Sequence, residues 1–209
     1  MGKIVDLSVD DFYHSQVNNR YLPFDACMPT SFIMGLKDEG IPVTSLDSVA
    51  IISAPAFIHP VDMQPEDFLM VLMRSLWGIS LRDKFKWAKE ANANPNEVHE
   101  AVSLAVNAIV GKNVTEYLKE QTLENIESQI LAKHPVVLGG GFTTYGHVVA
   151  VVGGVWDDSD KLSHLIVDDP YGDYFTGYKS KKGNGVRFPV DKFEKLWRHR
   201  FHRFDKNGV

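Results

Sequence analysis

The chain has 209 residues, of which 44% are hydrophobic and 23% are charged, and its formal net charge at pH 7 is −5. This composition is typical of a globular protein and excludes a disordered chain. The acidic balance argues against a general nucleic-acid binder, which carries a basic excess to neutralise phosphates. The single cysteine, Cys27, excludes an internal disulfide and a thiolate-rich zinc site. A lone cysteine is either a small buried hydrophobe or a nucleophile.

Neither a targeting segment nor a membrane span is predicted. The N-terminal residues turn acidic at Asp6 before any long apolar stretch appears, and no run approaches the ~18 apolar residues that a spanning helix needs. We therefore expect a soluble protein made in the cytoplasm without a signal peptide. The length and the absence of linkers or repeats favour a single domain over residues 1–209, and we expect a monomer.

The first part of the chain favours helices. Residues 29–36 have a proline in the first turn of the predicted helix and Gly40 beyond its end, so Cys27 is predicted to lie just before a helix N-terminus. From about 62 to 133 the apolar residues recur at helical spacing, and the last of these helices is predicted to follow Thr122.

After residue 135 the pattern changes to short β-branched runs separated by glycine and aspartate turns. Two later alternating segments flank a short helix, which we place at 190–197. Helices that precede an antiparallel sheet indicate an α+β domain. The predicted strands lie at 136–138, 147–152, 164–167, 186–188 and 201–204.

Motifs that would imply a metal or a nucleotide are incomplete. His99 begins a sequence like a helical zinc-protease motif, but Ser103 stands where the second histidine is needed, so we interpret it as a solvated helix face. The glycines at 139–141 lack the Lys-Ser/Thr of a phosphate-binding loop. The acidic run at 157–160 lacks the distal glutamate of a calcium loop and is interpreted as a hairpin turn. We therefore expect no cofactor and no metal.

A nucleophilic thiolate needs a base within hydrogen-bond reach and a third group that orients the base. The positive end of a helix favours the thiolate form at Cys27. His147, at the start of an apolar strand, is a candidate base, although a histidine in such a place is also typical of a packed core. A hairpin to the next strand would bring Asp168 or Asp169 near its ring, and Pro170 fixes the chain direction after them.

Three segments resemble the signatures of one family. Gln16 precedes Cys27-Met28-Pro29-Thr30-Ser31, Gly146-His147 precedes a valine-rich strand, and Asp169-Pro170 follows the next strand. In this order they resemble the bacteriocin-processing-peptidase-like cysteine peptidases, a branch of the papain clan. The resemblance implies a papain-like α+β fold with the nucleophile at a helix N-terminus, packed on a C-terminal antiparallel sheet. The residues at about 45–133 are then a helical elaboration.

The resemblance also implies the chemistry, a cysteine peptidase or amidase that forms a thioester. Cys27 matches the nucleophile, His147 the general base, Asp169 the residue that orients the imidazole, and Gln16 the side chain that stabilises the oxyanion. The alternatives are Asp168 for the orienting residue and Asn18 or Asn19 for the oxyanion donor.

The substrate class has several candidates. Peptides of the bacterial cell wall are the expected substrate, as for a phage-type lysin or a wall-remodelling enzyme, and we expect the protein to reach the wall only after release. Leader-peptide or general protein processing is the alternative. A different class is a non-enzymatic binding or immunity module that keeps the fold with an idle site. The basic segment Arg198-His199-Arg200, with His202 and Arg203, either contacts an acidic polymer such as the cell wall or forms a solvated strand.

Overall fold

A computed structural model describes residues 2–18, 27–41 and 95–209 of the protein. The helices predicted between 62 and 94 lie outside these residues. The described part contains four α-helices: α1 Cys27–Asp38, α2 Pro95–Val110, α3 Leu123–Leu131 and α4 Val190–Glu194.

Helix α1 contains the predicted segment 29–36 and begins two residues before it, at Cys27. The helix ends where Gly40 adopts a φ of +78°, which costs little in a residue without Cβ. The N–H groups of Gly40 and Ile41 donate to carbonyls in the last turn, both at 2.8 Å. These bonds form a Schellman motif, which satisfies carbonyls that the helix itself leaves without donors.

The strands of the described residues form one antiparallel sheet. They are β1 Ile4–Asp6, β2 Thr115–Leu118, β3 Val136–Gly140, β4 His147–Trp156, β5 Leu162–Asp168, β6 Val186–Pro189 and β7 Trp197–Phe204. Their order is β2-β7-β3-β4-β5-β6, and β1 pairs with β4 as well. The predicted α+β class is therefore confirmed, as are all five predicted strand regions.

Strand β4 is apolar along its length because both faces of the sheet are covered. Val148, Ala150 and Val152 belong to a core with side chains from α1 and α2. Val149 and Val151 belong to a second core with side chains from α3 and α4. Side chains alternate between the two faces of a strand, so one continuous apolar run serves two cores.

The prediction of helix from 62 to 133 is wrong at β2, which pairs with β7 at the edge of the sheet. Burial alternates along this strand, but four residues are too few to separate a period of two from a helical period. The helix predicted at 190–197 is also shorter than expected, because α4 ends at Glu194 and Trp197 already begins β7.

The hairpin from β4 to β5 sets the position of the candidate site. Asp168, the last residue of β5, pairs with Ala150 of β4. Because the two strands are antiparallel, the residues after Asp168 continue towards the start of β4. His147 is the first residue of β4, so Asp169 approaches it as the sequence predicted.

Candidate active site

Cys27 is the first residue of α1, and its free thiol is partly buried. The N–H groups in the first turn of a helix have no acceptor within the helix, so they take their acceptors from outside it. Ser31, one turn later, donates its hydroxyl to the carbonyl of Val148 at 3.0 Å. Since Val148 directly follows His147, this bond ties the second turn of α1 to the start of β4.

A glycine turn leads into His147. Gly146 has a φ of +87°, a conformation that side chains with a Cβ rarely adopt. The hydroxyl of Thr143 donates to the carbonyl of Gly146 at 2.6 Å and closes the turn. The turn therefore fixes where β4 begins and where the imidazole lies.

The His147 side chain interacts with two of the predicted site residues. Its Nε2 lies 2.6 Å from Oδ1 of Asp169, and the Cys27 side chain is near enough to the ring to raise the pKa of His147. Because Asp169 engages Nε2, Nδ1 is the nitrogen that remains for the thiol. Burial lowers the pKa of His147, but the hydrogen bonds and negative charges of Asp169 and Cys27 outweigh it and raise the pKa to about 9.

The two adjacent aspartates have different partners. Both are buried, at 1% exposure for Asp168 and 2% for Asp169. Besides His147, Asp169 Oδ1 accepts the backbone N–H of Tyr171 at 2.9 Å. Asp168 Oδ1 instead accepts the N–H of Gly185 at 2.7 Å. The structure therefore brings Asp169, and not its rival, into contact with the imidazole.

Gln16 lies in a 3-10 turn, Gln16–Asn18, and is 2% exposed. Its backbone N–H donates to the carbonyl of Pro170 at 2.8 Å. This bond places Gln16 next to the segment that carries Asp169. Of the alternatives for its role, Asn18 is exposed, whereas Asn19 lies outside the described residues.

Two tyrosines that sequence reasoning did not select hold the Asp169 segment. The hydroxyl of Tyr178 lies 3.1 Å from the carbonyl of Phe142 and 3.3 Å from Oδ2 of Asp169. The hydroxyl of Tyr13 donates to the carbonyl of Asp169 at 3.0 Å and accepts the N–H of Gly183 at 3.1 Å. Tyr178 stands close in sequence to the Asp169-Pro170 signature, which is a signal that could have indicated it. Tyr13 offers no such signal.

The interpretation of His99 and Ser103 as a solvated helix face is wrong. His99 Nδ1 lies 2.7 Å from His202 Nε2, and Ser103 Oγ lies 2.9 Å from His202 Nδ1. His202 is fully buried. The polar face of α2 therefore packs against β7 through a hydrogen-bonded histidine pair.

A second acidic and histidine cluster is a metal candidate by composition. Ligand atoms of Glu39, His134 and Asp205 lie within 4.8 Å of one another. Both oxygens of Glu39 already have partners, at 2.9 Å to His134 Nδ1 and at 3.0 Å to the backbone N–H of Lys206. We therefore interpret this cluster as a structural hydrogen-bonded group. His134 precedes β3 at the end opposite to Gly140, which pairs with His147.

The acidic run at 157–160 is a hairpin turn, as predicted. Asp157 Oδ1 accepts the backbone N–H of Ser159 at 2.8 Å and that of Lys161 at 3.0 Å. These bonds use the carboxylate to close the turn between β4 and β5.

Comparison with known protein families matches residues 10–202 to the peptidase C39-like family. The chain belongs to this family. Membership confirms the resemblance found in the sequence and implies a peptide substrate. No curated protein matches the chain. Within the three described ranges, no helix is both long and apolar enough to cross a membrane.

Proposed function

We propose that the protein is a cysteine peptidase of papain-like fold in which Cys27, His147 and Asp169 form the catalytic triad. The observation that carries this proposal is the buried 2.6 Å contact between His147 Nε2 and Asp169 Oδ1, beside a Cys27 side chain that raises the pKa of the same imidazole. A thiol at the start of a helix, a base in contact with it and a third group that orients the base are the parts that nucleophilic catalysis needs.

Acylation begins when Cys27 Sγ, as the thiolate, attacks the carbonyl carbon of the scissile peptide bond. A bond forms between sulfur and carbon, and the electron pair of the carbonyl moves to oxygen. As the oxyanion collapses, the C–N bond breaks and the amine leaves with the proton of His147 Nδ1. The raised pKa of His147, about 9, keeps this proton on the ring at neutral pH before attack.

Deacylation uses the same histidine in its neutral form. His147 takes a proton from water, the hydroxide oxygen attacks the thioester carbon, and the C–S bond breaks to release the acid and regenerate Cys27. Asp169 keeps Nε2 occupied, so Nδ1 performs the proton transfer in both directions.

The oxyanion needs hydrogen-bond donors where its charge develops. The backbone N–H of Cys27 is one, because the first residues of a helix donate to no carbonyl of that helix. The side-chain amide of Gln16 is the second in this proposal, supported by its burial and by the bond that holds it beside Pro170. One such donor is worth about 3 kcal/mol in the transition state.

Among peptide substrates, we propose those of the bacterial cell wall. The basic side chains of Arg198 and Arg200 near His147 support an acidic substrate, and cell-wall peptides carry free carboxylates. Leader-peptide processing and a binding module without activity are the alternatives that the experiment must separate.

Hydrolysis measurements on the wild-type protein and on Cys27→Ala and His147→Ala test the proposal. Turbidity of purified cell walls and release of fragments from double-glycine leader peptides and casein are followed in parallel. We expect clearing of the walls by the wild type and none by either variant. Cleavage of leader peptides alone would contradict the wall assignment, and absence of any hydrolysis would favour the binding module.

A further inference from the structure

A cavity of about 110 Å³ lies next to His147, on the side of the sheet covered by α2. It is lined by residues of α2, β2, β3, β4 and β7 and by the glycine turn before β4. The side chains that matter for its chemistry are His99, Tyr117, His147, Arg198, Arg200 and His202.

Strand β7 is irregular at the point where Arg198 and Arg200 line this cavity. Leu138 of β3 pairs with Phe201, but Gly140, only two residues later, pairs with Trp197. The intervening residues of β7 exceed those of β3, so β7 bulges, and a bulge re-aims the side chains beside it.

The positive charge of the cavity comes from its two arginines. Arg198 is exposed, and Arg200 is partly buried and makes a hydrogen bond with the Tyr117 hydroxyl. None of the described side chains that line the cavity is a carboxylate. The nearby Glu100 forms an ion pair with Lys119, which offsets its charge.

The two histidines in the wall are neutral and rigidly held. Burial and the charge of Arg200 lower the pKa of His99 to about 4. Burial, together with His99, lowers the pKa of His202 well below its usual value. The His99 ring also stacks on Tyr117, with 4.9 Å between centroids and 7° between planes. This wall is therefore preorganised, and its polarity stays constant through neutral pH.

In the proposed function, the cavity lies on the leaving-group side of the scissile bond. His147 lines the cavity and, in the proposed function, gives its proton to the leaving amine. The amine must therefore lie against the imidazole, and the residues that follow it in the substrate continue into the adjoining space.

We propose that this cavity is a specificity pocket for a carboxylate carried by the first or second substrate residue after the scissile bond. The carboxylate is either an aspartate or glutamate side chain or the free C-terminus, and a guanidinium fork suits both. This inference rests on the proposed function, since it uses His147 to define the leaving-group side.

Calorimetric titration of short peptides into the Cys27→Ala protein tests the pocket without turnover. The probes are amidated tripeptides with glutamate at the first or second position, their glutamine counterparts, and trialanine with a free or amidated C-terminus. We expect at least one carboxylate probe to bind about tenfold more tightly than its neutral counterpart, a difference of about 1.4 kcal/mol. The probe that shows it identifies which carboxylate the pocket takes.

Arg198→Gln, combined with Cys27→Ala, should reduce this preference to about threefold or less, because one charge-assisted contact is lost. Arg203→Gln is the matched control on the same strand, since Arg203 pairs with Glu116 at 2.7 Å and does not line the cavity. Arg200→Gln is a second variant, with its melting temperature measured because it also loses the bond to Tyr117.

Equal binding of acidic and neutral peptides would contradict the proposed carboxylate specificity. So would a preference for the carboxylate peptide that both the Arg198→Gln and the Arg200→Gln variants retain. Hydrolysis by the wild type separates this outcome from failure of the proposed function. If the wild type is inactive but the protein still prefers the carboxylate, the pocket proposal stands and the peptidase proposal fails. If the wild type is active but the preference is absent, the peptidase proposal stands and the pocket proposal fails.

Discussion

Asp169 Oδ1 lies 2.6 Å from Nε2 of His147, and both side chains are buried. This contact leaves Nδ1 for Cys27 and is the largest influence that raises the pKa of His147 against the effect of burial. A buried carboxylate in this position both selects the tautomer and stabilises the imidazolium.

Asp169→Asn should reduce kcat/KM by at least about tenfold, because it removes the charge that stabilises the imidazolium. The pKa of His147 should also fall, so the alkaline limb of the rate against pH, expected near 9 in the wild type, should move to lower pH. A pH profile of kcat/KM on a cleaved peptide measures both effects. Asp168→Asn is the matched control, and an equal shift in that variant would contradict the assignment.

Tyr178→Phe should lower kcat by about fivefold with little change in KM, which corresponds to about 1 kcal/mol for one hydrogen bond. The variant loses only the hydroxyl, which lies 3.3 Å from Oδ2 of Asp169. Tyr174→Phe removes a hydroxyl from the same loop and serves as the control. Steady-state kinetics that find both variants equal to the wild type would show that Tyr178 does not position Asp169.

Ser31→Ala should destabilise the protein by about 1–3 kcal/mol, because the buried carbonyl of Val148 loses its hydroxyl donor. It should also lower kcat, since the bond ties the N-terminal part of α1 to the start of β4. Ser163→Ala is a matched control, because Ser163 Oγ donates to the carbonyl of Val155 at 2.9 Å near the other end of β4. Denaturant unfolding and kinetics together should show loss of activity in the first variant only.

Asp38 makes the stability of the fold depend on pH. It is the last residue of α1, and neither of its carboxylate oxygens has a hydrogen-bond partner among the described residues. Burial, followed by the charges of Asp168 and Asp6, raises the pKa of Asp38 to about 8. The folded state therefore binds a proton that the unfolded state has already released, so this contribution to stability is full below about pH 4 and is lost as the pH rises towards 8.

Asp38→Asn should accordingly raise the melting temperature by a few degrees at about pH 8, with little change at about pH 4. Asp11→Asn, at an exposed aspartate, should leave the melting temperature unchanged at both. Thermal unfolding across this range is the measurement. If Asp38→Asn stabilised the protein more at about pH 4 than at about pH 8, the result would contradict a raised pKa for Asp38.

Local patterns were sufficient for the elements that carry the proposed triad. The apolar run after His147 could be recognised because both sheet faces are covered, and the Asp169-Pro170 pair marked the end of the next strand. Thr122 correctly indicated the start of α3, where it forms a capping box with Asn125. These signals lie within a few residues of the features that they predict.

The parts that the sequence missed depend on contacts between distant residues. β2 is a strand because β7 lies beside it, and its four residues carry too short a pattern to show this. His99 looked like a solvated residue because its partner, His202, stands on another element. Tyr13 was missed for the same reason, because its hydroxyl contacts the carbonyl of Asp169, which is 156 residues away in the sequence.

The rate at which iodoacetamide alkylates Cys27 at about pH 6 tests the Cys27–His147 pair most directly, because it requires no knowledge of the substrate. The thiolate paired with a protonated His147 should react faster than free cysteine, whose pKa is about 8.5, and His147→Ala should slow the reaction by at least about tenfold. A wild-type rate no faster than that of free cysteine, and unchanged in His147→Ala, would contradict the proposed nucleophile.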